Sequence, residues 1–296
     1  MINNDTHFTR ICYCIVIFLV AVTLFPFLYI FFVSISNSTA IATGELLSSK
    51  NTLSLDSYIG LFRYADLGQS LLNSVVLSVI GVFLNMAFTI PCAYALSRRE
   101  THGKKVIYGI LILAMFFRGE TIPTYVWMSE LKLLDSYVAV WLSKLVSIYN
   151  IFILAQYFEG LPCDILNAAK LDGAGPMQIM LQIVLPMSRA VLISIGIIYF
   201  ASWWNDYYYT MIYIRNPDKF TLPVRIMQMI ANIEDSSVYS AKDVVYAKLS
   251  VYGVRSAGIV LSIVPMLLLI LIVQRRNNGV DQIYKNTKER ICYEKI

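Results

Sequence analysis

Charged residues are scarce in this chain: they make up 15% of its 296 residues, whereas hydrophobic residues make up 57%. In soluble globular domains about a quarter of the residues carry a charge. A chain with so few charges cannot form a water-facing surface of ordinary composition, which excludes an ordinary soluble domain. Most of the chain is therefore expected to lie in lipid.

The chain also lacks the residue patterns of a catalytic or metal site. It has two histidines, and its five cysteines show neither metal-ligand nor disulfide spacing. No G-x-x-x-x-G-K-S/T phosphate loop is present, since Gly103-Lys104-Lys105 lacks both the upstream glycine and the hydroxyl residue. We expect no metal, no cofactor and no ATP hydrolysis in this chain itself. The net charge of +5 concerns orientation in a membrane, and no nucleic acid is expected as a partner.

Six apolar segments are long enough to cross a membrane, because a helix of about 20 residues spans a hydrocarbon core of about 30 Å. Five are plain, and the third is interrupted between Arg118 and Pro123. The approximate bounds of the six are 11–33, 70–97, 106–128, 137–158, 187–212 and 255–273. The sequence predicts an all-α integral membrane protein with about six transmembrane helices within 11–274.

Lysine and arginine cluster in two short segments, 98–105 between the second and third spans and 275–276 after the sixth. Such clusters mark the cytoplasmic side of membrane helices. Both termini, 1–10 and 275–296, are therefore predicted to be cytoplasmic. The first span lacks a cleavage site and is predicted to be a retained anchor. This orientation places the long segment 213–254 outside the cell.

The predicted cytoplasmic loop between the fourth and fifth spans, 159–186, is too polar for lipid and too apolar for a solvated linker. A helix is predicted from Asp164 to Leu171, ended by Asp172-Gly173, and a second from Met177 stops at Pro186. Helical spacing places a set of residues near one side, where small alanines permit close approach of a partner: Leu161, Ile165, Ala168 or Ala169, and Asp172. A helix this short needs packing to be stable, so the loop is expected to dock on a partner.

The loop resembles the EAA loop of ABC-importer permeases, whose pattern is E-A-A, three residues, G and a final I-x-L-P. Here the pattern reads Asn167-Ala168-Ala169, then Gly173, and ends in Ile183-Val184-Leu185-Pro186. Asn167 stands where the family has Glu, and its amide can still accept a hydrogen bond.

Other segments extend the resemblance over nearly the whole chain. WWNDYYYTMIYIRNPDKFTLPV is similar to segments of maltose-type (MalG-like) sugar permeases. LFPFLYIFFVSIS, CAYALSRR and FFRGETIPTYVWMSELKLLDSYVAVWL are similar to the polysaccharide branch of that family, the LplC/YtcP-like proteins. The tail QRRNNGVDQIYKN departs from the family's Gly- and Ala-rich ending.

The resemblance implies a permease subunit of a binding-protein-dependent ABC importer, which moves sugars, oligosaccharides or polysaccharide fragments into a bacterial cell by ATP-driven alternating access. It implies a multi-pass protein of the cytoplasmic membrane with three kinds of partner. These are a second permease in a heterodimer, two ATPase subunits that bind ATP and Mg, and an extracellular sugar-binding protein facing 213–254. The ATPase-coupling element would be 161–174, with these candidate residues: Leu161, Asp164, Leu166, Asn167, Ala168, Ala169, Asp172, Gly173 and Ala174.

Candidate substrate-path residues lie near the end of the fifth span. Tyr199, Trp203 and Tyr207 recur every four residues and would share a helix face, a platform suited to a sugar ring. Asn205 and Asp206 could bond sugar hydroxyls, and an ionisable group in a span is a functional-site candidate. A contact to sugar and a role in packing or an interfacial aromatic belt both remain open.

Charges in the third span pose a second question. Arg118 and Glu120 would face protein or a water-filled path, either as a structural pair or as part of that path. Whether the side chain faces protein or a water-filled path is also asked, more weakly, of Lys144 and Asn85, and Asn85 fits interhelical packing. The alternative function is a secondary transporter for a small polar solute, which would show discontinuous helices in corresponding halves. In this sequence only the span 106–128 is interrupted.

Overall fold

The computed structural model of the chain describes residues 3–43, 53–64, 67–98, 101, 103–117, 119, 121–234 and 250–271. These residues are predominantly helical, and the β pairing among them is an isolated bridge between Ser36 and Leu53. The all-α fold class is thereby confirmed. Arg118, Glu120 and the tail 275–296 lie outside the described residues.

The contacts divide the chain into two compact units, one formed by 1–69 with 222–265 and the other by 70–221 with 266–296. The helices that lie wholly in the first unit are α1 Asn3–Ser34, α2 Ser38–Thr43, α3 Asp56–Tyr64 and, later in the chain, α13 Leu222–Glu234. The helix α4, Leu67–Ser97, begins in the first unit and continues in the second. The helices of the second unit are α5 Lys104–Phe116, α6 Thr121–Glu130, α7 Tyr137–Ser143, α8 Ile148–Glu159, α9 Cys163–Leu171, α10 Pro176–Met187, α11 Arg189–Trp204 and α12 Tyr208–Tyr213. A final helix, α14 Val251–Leu271, begins in the first unit and ends in the second.

Within the first unit, α1 is apolar along most of its length and exposes its side chains on nearly every side, as expected for a helix surrounded by lipid. The helices α13 and α14 pack more closely. A Cβ added at Gly258 would lie 2.6 Å from Cγ2 of Ile226, so the glycine allows the two helices to approach. In the same unit, the Tyr58 hydroxyl donates to Oγ of Ser34 at 2.9 Å.

Three continuous helices are long and apolar enough to cross a membrane: Phe8–Ser34, Leu67–Ser97 and Val251–Leu271. Three further pairs of shorter helices meet the same test when each pair counts as one bent span. These pairs are α5 with α6, α7 with α8 at 56°, and α10 with α11 at 84°. The count of about six spans is therefore confirmed for the described residues, with half of the spans bent.

The expectation that only the third span is interrupted is wrong. The predicted span 137–158 breaks between α7 and α8, where Lys144 to Ser147 leave the helix. The break is tolerated because the Asn85 side chain donates to the free carbonyls of Lys144 and Leu145, and the Ser147 hydroxyl accepts from the Asn150 N–H.

The predicted span 187–212 is also interrupted, because α11 ends at Trp204 and α12 starts anew at Tyr208. At its other end, the helix α10 does not stop at Pro186. It passes through a π turn over Met180–Val184, in which the Leu185 N–H donates to the Met180 carbonyl. The chain turns only at Ser188.

A turn at one end of the second unit is held by Asp135. This residue has a φ of +61°, and its Oδ1 accepts from the N–H groups of Arg215 and Asn216 at 3.0 and 2.9 Å. Its Oδ2 faces the Lys219 ammonium at 3.1 Å. These donors, the Asn216 N–H foremost, hold the pKa of the Asp135 carboxyl below its ordinary value of 3.8.

We expect Asp135→Ala to lower the thermal midpoint of the purified protein at neutral pH, because the N–H groups of Arg215 and Asn216 lose their acceptor and the Lys219 ammonium loses its carboxylate partner. Since folding depresses this pKa, the contribution of Asp135 is present above pH 3.8 and is lost as the pH falls through the lower, folded-state value. The deficit of the variant should therefore shrink in strong acid. Asp218→Ala is the matched control, because that carboxylate has no partner among the described residues. An equal deficit in both variants would contradict the role of Asp135.

Candidate functional site

The loop after α8 contains α9, which begins after Pro162 and ends at a glycine in the left-handed region. Gly173 has a φ of +80°, and a Cβ added there would meet nothing within 4 Å. Around it, the Gly173 N–H donates to Lys170 O at 3.1 Å and the Ala174 N–H to Ala169 O at 3.0 Å. The carbonyls at the end of α9 are thus satisfied while the chain reverses toward α10.

One face of α9 packs into the second unit itself. Leu161, Leu166 and Ala169 are buried in an apolar core that also contains Phe158 of α8 and Tyr94 of α4. The start of this loop is held by a pair between Lys104 at the beginning of α5 and Glu159 at the end of α8, at 2.5 Å. The loop is therefore fixed to the helices that continue into the spans.

The opposite face of α9 is exposed and contains the candidates Asp164, Asn167 and Ala168, and Asp172 just after the helix is exposed as well. The predicted grouping of Leu161 and either alanine with Ile165 and Asp172 is therefore wrong in part. Leu161 precedes the first residue of α9, so helical spacing does not apply to it. Of the two alanines, Ala169 points inward and Ala168 outward.

Sequence reasoning missed two apolar side chains beside this exposed face. Leu171 is 89% exposed at the end of α9, and Met177 is exposed at the start of α10. Contact of large apolar side chains with water is unfavourable, so Leu171 and Met177 make this part of the loop a candidate contact surface for another protein. The sequence contained a signal for Leu171, because this large apolar residue ends the predicted helix in a loop that is predicted to be cytoplasmic.

A second feature of the same unit is a cavity of about 820 Å³. Its walls come from α4, α5, α6, α7, α8, α11 and α12, and from the interruption between α7 and α8. The described lining mixes apolar side chains with hydroxyls and amides, and Lys144 is the charged side chain among them. Such a volume lies within the range of about 300–1,000 Å³ that ligand sites usually have.

Asn85 joins three helical segments beside this cavity. Its Nδ2 donates to the carbonyls of Lys144 and Leu145, both at 2.7 Å, and its Oδ1 accepts from Nε1 of Trp203 at 2.5 Å. Both amide hydrogens and the amide oxygen are therefore used within the protein. The expectation that Asn85 fits interhelical packing matches this geometry.

Lys144 occupies the interruption itself. Its ammonium donates to the Ser202 carbonyl at 2.8 Å and to Oδ1 of Asp206 at 3.1 Å. It also lies 4.6 Å from the centroid of the Trp203 ring, where a cation is attracted by the ring face. Oδ2 of Asp206 accepts from the N–H and hydroxyl of Thr210, both at 3.3 Å. The charge pair thus links the fourth predicted span to the fifth.

The aromatic residues proposed as a sugar platform do not share one helix face. Tyr199 and Trp203 lie on the same face of α11, but Tyr207 lies beyond the end of that helix and is exposed. The Tyr199 hydroxyl bonds Thr89 at 2.6 Å, and Trp203 is only 2% exposed. In this conformation Trp203 belongs to the packing and offers no open ring face.

The other polar candidates of this region have local partners. Asn205 follows α11, and its Nδ2 donates to the Ala201 carbonyl at 3.0 Å. Asp206 is buried with the partners already described. Within the described part of the chain, no three His, Cys, Asp or Glu side chains are placed to hold a metal ion.

The comparisons with known proteins agree with one another. Residues 65–280 match the model of a family described as "Binding-protein-dependent transport system inner membrane component". The chain is 28% identical to Protein LplC of Bacillus subtilis over 83% of each chain. It is 29% identical to the polygalacturonan/rhamnogalacturonan transport system permease protein YtcP of the same organism, over 75% of this chain and 78% of that one.

A solved structure is similar over almost the full length. It is a chain of a bacterial ABC transporter involved in the import of the acidic polysaccharide alginate. The TM-score is 0.76 with 26% sequence identity, covering 92% of this chain and 97% of that one. The fold of this chain is therefore similar to that of a chain in a solved ABC transporter.

Proposed function

Since this chain belongs to the family of binding-protein-dependent transport system inner membrane components, we propose that it pairs with a second permease, forming the membrane pathway of an ATP-driven sugar importer. As a permease subunit of an ABC importer it is a multi-pass membrane protein that does not itself catalyse a reaction. The substrate we propose is an oligosaccharide or polysaccharide fragment. The names of YtcP and of the alginate transporter support this class of substrate.

The observation that best supports coupling to ATP is the two-faced packing of α9. Its inner face, with Leu166 and Ala169, is fixed to the second unit, while its outer face leaves Ala168 and Leu171 exposed. In our proposal the outer face docks in a cleft of one of two ATPase subunits. ATP and Mg bind those subunits, whose closure moves the loop as a rigid body and shifts the spans between inward-facing and outward-facing states.

The proposed orientation follows from the same assignment. With α9 on the cytoplasmic side, both chain termini are cytoplasmic and 213–254 faces an extracellular sugar-binding protein. The secondary transporter of the alternative hypothesis would also use broken helices, which the bends between α7 and α8 and between α10 and α11 supply. It would not need a docking loop with exposed apolar residues, and the family match does not favour it.

The two alanines allow a direct test of this proposal. Ala168→Arg is expected to leave the permease as stable as the wild type but to prevent co-purification of the ATPase subunits and to abolish ATP-driven uptake. Ala169→Arg is the matched variant one residue away, and it is expected to lower the thermal midpoint. It would place a charge in the apolar core, where an unpaired charge costs several kcal/mol.

Affinity capture through a tag on this chain and sugar uptake into proteoliposomes give the two readouts. Normal ATPase capture and normal uptake with Ala168→Arg would show that the outer face of α9 is not the coupling surface. A fall in the thermal midpoint with Ala168→Arg would show that its side chain is not free, contrary to the geometry described.

A further inference from the structure

We propose that the cavity beside Lys144 binds an acidic sugar unit and that the Lys144 ammonium selects for its carboxylate. This inference rests on the proposed function as a sugar importer and adds the charge class of the substrate and the residue that recognises it. Three features carry the inference: the charge presented to the cavity, the free bonding capacity of the ammonium and a buried acceptor on the same wall.

Lys144 presents its charge to the cavity, whereas its negative partner Asp206 is hidden from it. Lys144 belongs to the lining, and its side chain is 18% exposed. The side chain of Asp206 is 5% exposed, and Asp206 is absent from the described lining. Two bonds from Thr210 hold the second oxygen of Asp206 on the far side of the pair. Among the described lining residues, a ligand entering the cavity therefore meets the Lys144 cation and not the Asp206 carboxylate.

The ammonium retains bonding capacity for a ligand. It has three N–H donors, and the Ser202 carbonyl and the Asp206 carboxylate use two of them. The Trp203 ring holds the ammonium in place without accepting a conventional hydrogen bond. One donor is left, and a hydrogen bond between a cation and a carboxylate is about twice as strong as one between neutral groups.

A saccharide also carries hydroxyl donors, and the same cavity contains a buried acceptor. Asn150 lines the cavity, is 3% exposed, and its Oδ1 has no hydrogen-bond partner among the described residues. A buried amide oxygen without a partner is costly, and a turn of the Asn150 side chain toward the cavity would let a ligand hydroxyl bond it. Tyr149 adds a largely exposed ring to the same wall. Acceptor, ring and cation together match a sugar that carries a carboxylate.

The competing role for Lys144 is structural, as a clamp between the interruption after α7 and the end of α11. The two roles differ in one measurable respect. A clamp affects every substrate alike, whereas a recognition group affects charged substrates more than neutral ones of the same size.

The test compares two substrates in proteoliposomes that contain the complete importer and its binding protein. The first substrate is tri-galacturonate, and the second is the same trisaccharide with its carboxylates reduced to alcohols. The test variant is Lys144→Met combined with Asp206→Asn, which removes both charges and leaves neither stranded. The binding protein is the same in every assay, so its own preference cancels in the ratio of variant to wild type. Lys105→Met is the control for a lost cation, because Lys105 is exposed outside the cavity.

We expect the double variant to lower uptake of tri-galacturonate about tenfold and uptake of the reduced trisaccharide less than about twofold. Lys144→Arg, which keeps the cation, should retain most of the uptake of tri-galacturonate. An equal loss for both substrates would assign Lys144 to the clamp and overturn the inference, and so would a wild-type importer that takes up only the neutral trisaccharide. In those two cases the importer assignment would stand. Absence of ATP-driven uptake of any saccharide would instead overturn the proposed function.

Discussion

Replacing Gly81 by alanine is expected to destabilise the permease by about 1–3 kcal/mol, the usual penalty for forcing extra atoms into a packed core. An added Cβ at Gly81 would lie 2.5 Å from Cε2 and 2.6 Å from Nε1 of Trp203. The indole is rigid and 2% exposed, and its N–H is bonded to Asn85. A shift of the ring away from the new Cβ would break that bond and disturb the interruption that Asn85 caps.

Gly196→Ala is the matched control, because it makes the same change in α11 at a position where a Cβ would meet nothing within 4 Å. In the helix interior, that control should be neutral or slightly stabilising. Thermal unfolding of the purified permease complex measures both variants. Equal midpoints for Gly81→Ala and Gly196→Ala would contradict the tight contact between Gly81 and Trp203. Recovery of stability on adding Trp203→Leu to Gly81→Ala would locate the clash at the indole.

The contact between Gly81 and Trp203 shows why the sequence predicted the positions of the spans better than the packing between them. The segment 70–97 was predicted from its apolar composition alone, and the helix runs over Leu67–Ser97. The interruption after α7 was not predicted, because it depends on Asn85, which lies about 60 residues away in the sequence. Burial of Trp203 likewise depends on the absent side chain at Gly81. Local composition predicts the length and polarity of a span. The interruption after α7 and the burial of Trp203 depend instead on residues that are distant in the sequence.

The candidate site residues likewise include features that local sequence predicts and features that only tertiary packing decides. The helix α9 and the glycine that follows it were predicted, because caps and turn residues act over a few positions. The identity of the inner face was not predicted, since Ala168 and Ala169 are equally small and only packing against Phe158 and its neighbours distinguishes them. The sugar platform failed at Tyr207 because the helical spacing was extended past the true end of α11.

Replacing Gly173 by valine is expected to uncouple ATP hydrolysis from uptake while leaving the spans folded. At a φ of +80° an L-residue costs about 1–2 kcal/mol, and a β-branched residue is least tolerated there. A Cβ at this position would meet nothing within 4 Å, so the penalty comes from the backbone alone. The turn would relax toward negative φ and swing α9 relative to α10. If this strain raises the free energy of the state in which α9 is docked on an ATPase subunit, uptake should drop by about tenfold.

Gly175→Val is the matched control in the same loop, because Gly175 has a φ of −71° and a ψ of 162°, which any residue adopts. A graded series sharpens the test, since asparagine tolerates the left-handed region better than valine does. Uptake should therefore decrease from wild type through Gly173→Asn to Gly173→Val, while Gly175→Val stays close to wild type. The thermal midpoint of the permease should change much less than uptake, because the turn lies outside the buried core. If Gly173→Val and Gly175→Val impaired uptake equally, the loss would reflect bulk in the loop, and the conformation at Gly173 would not be what couples α9 to the spans.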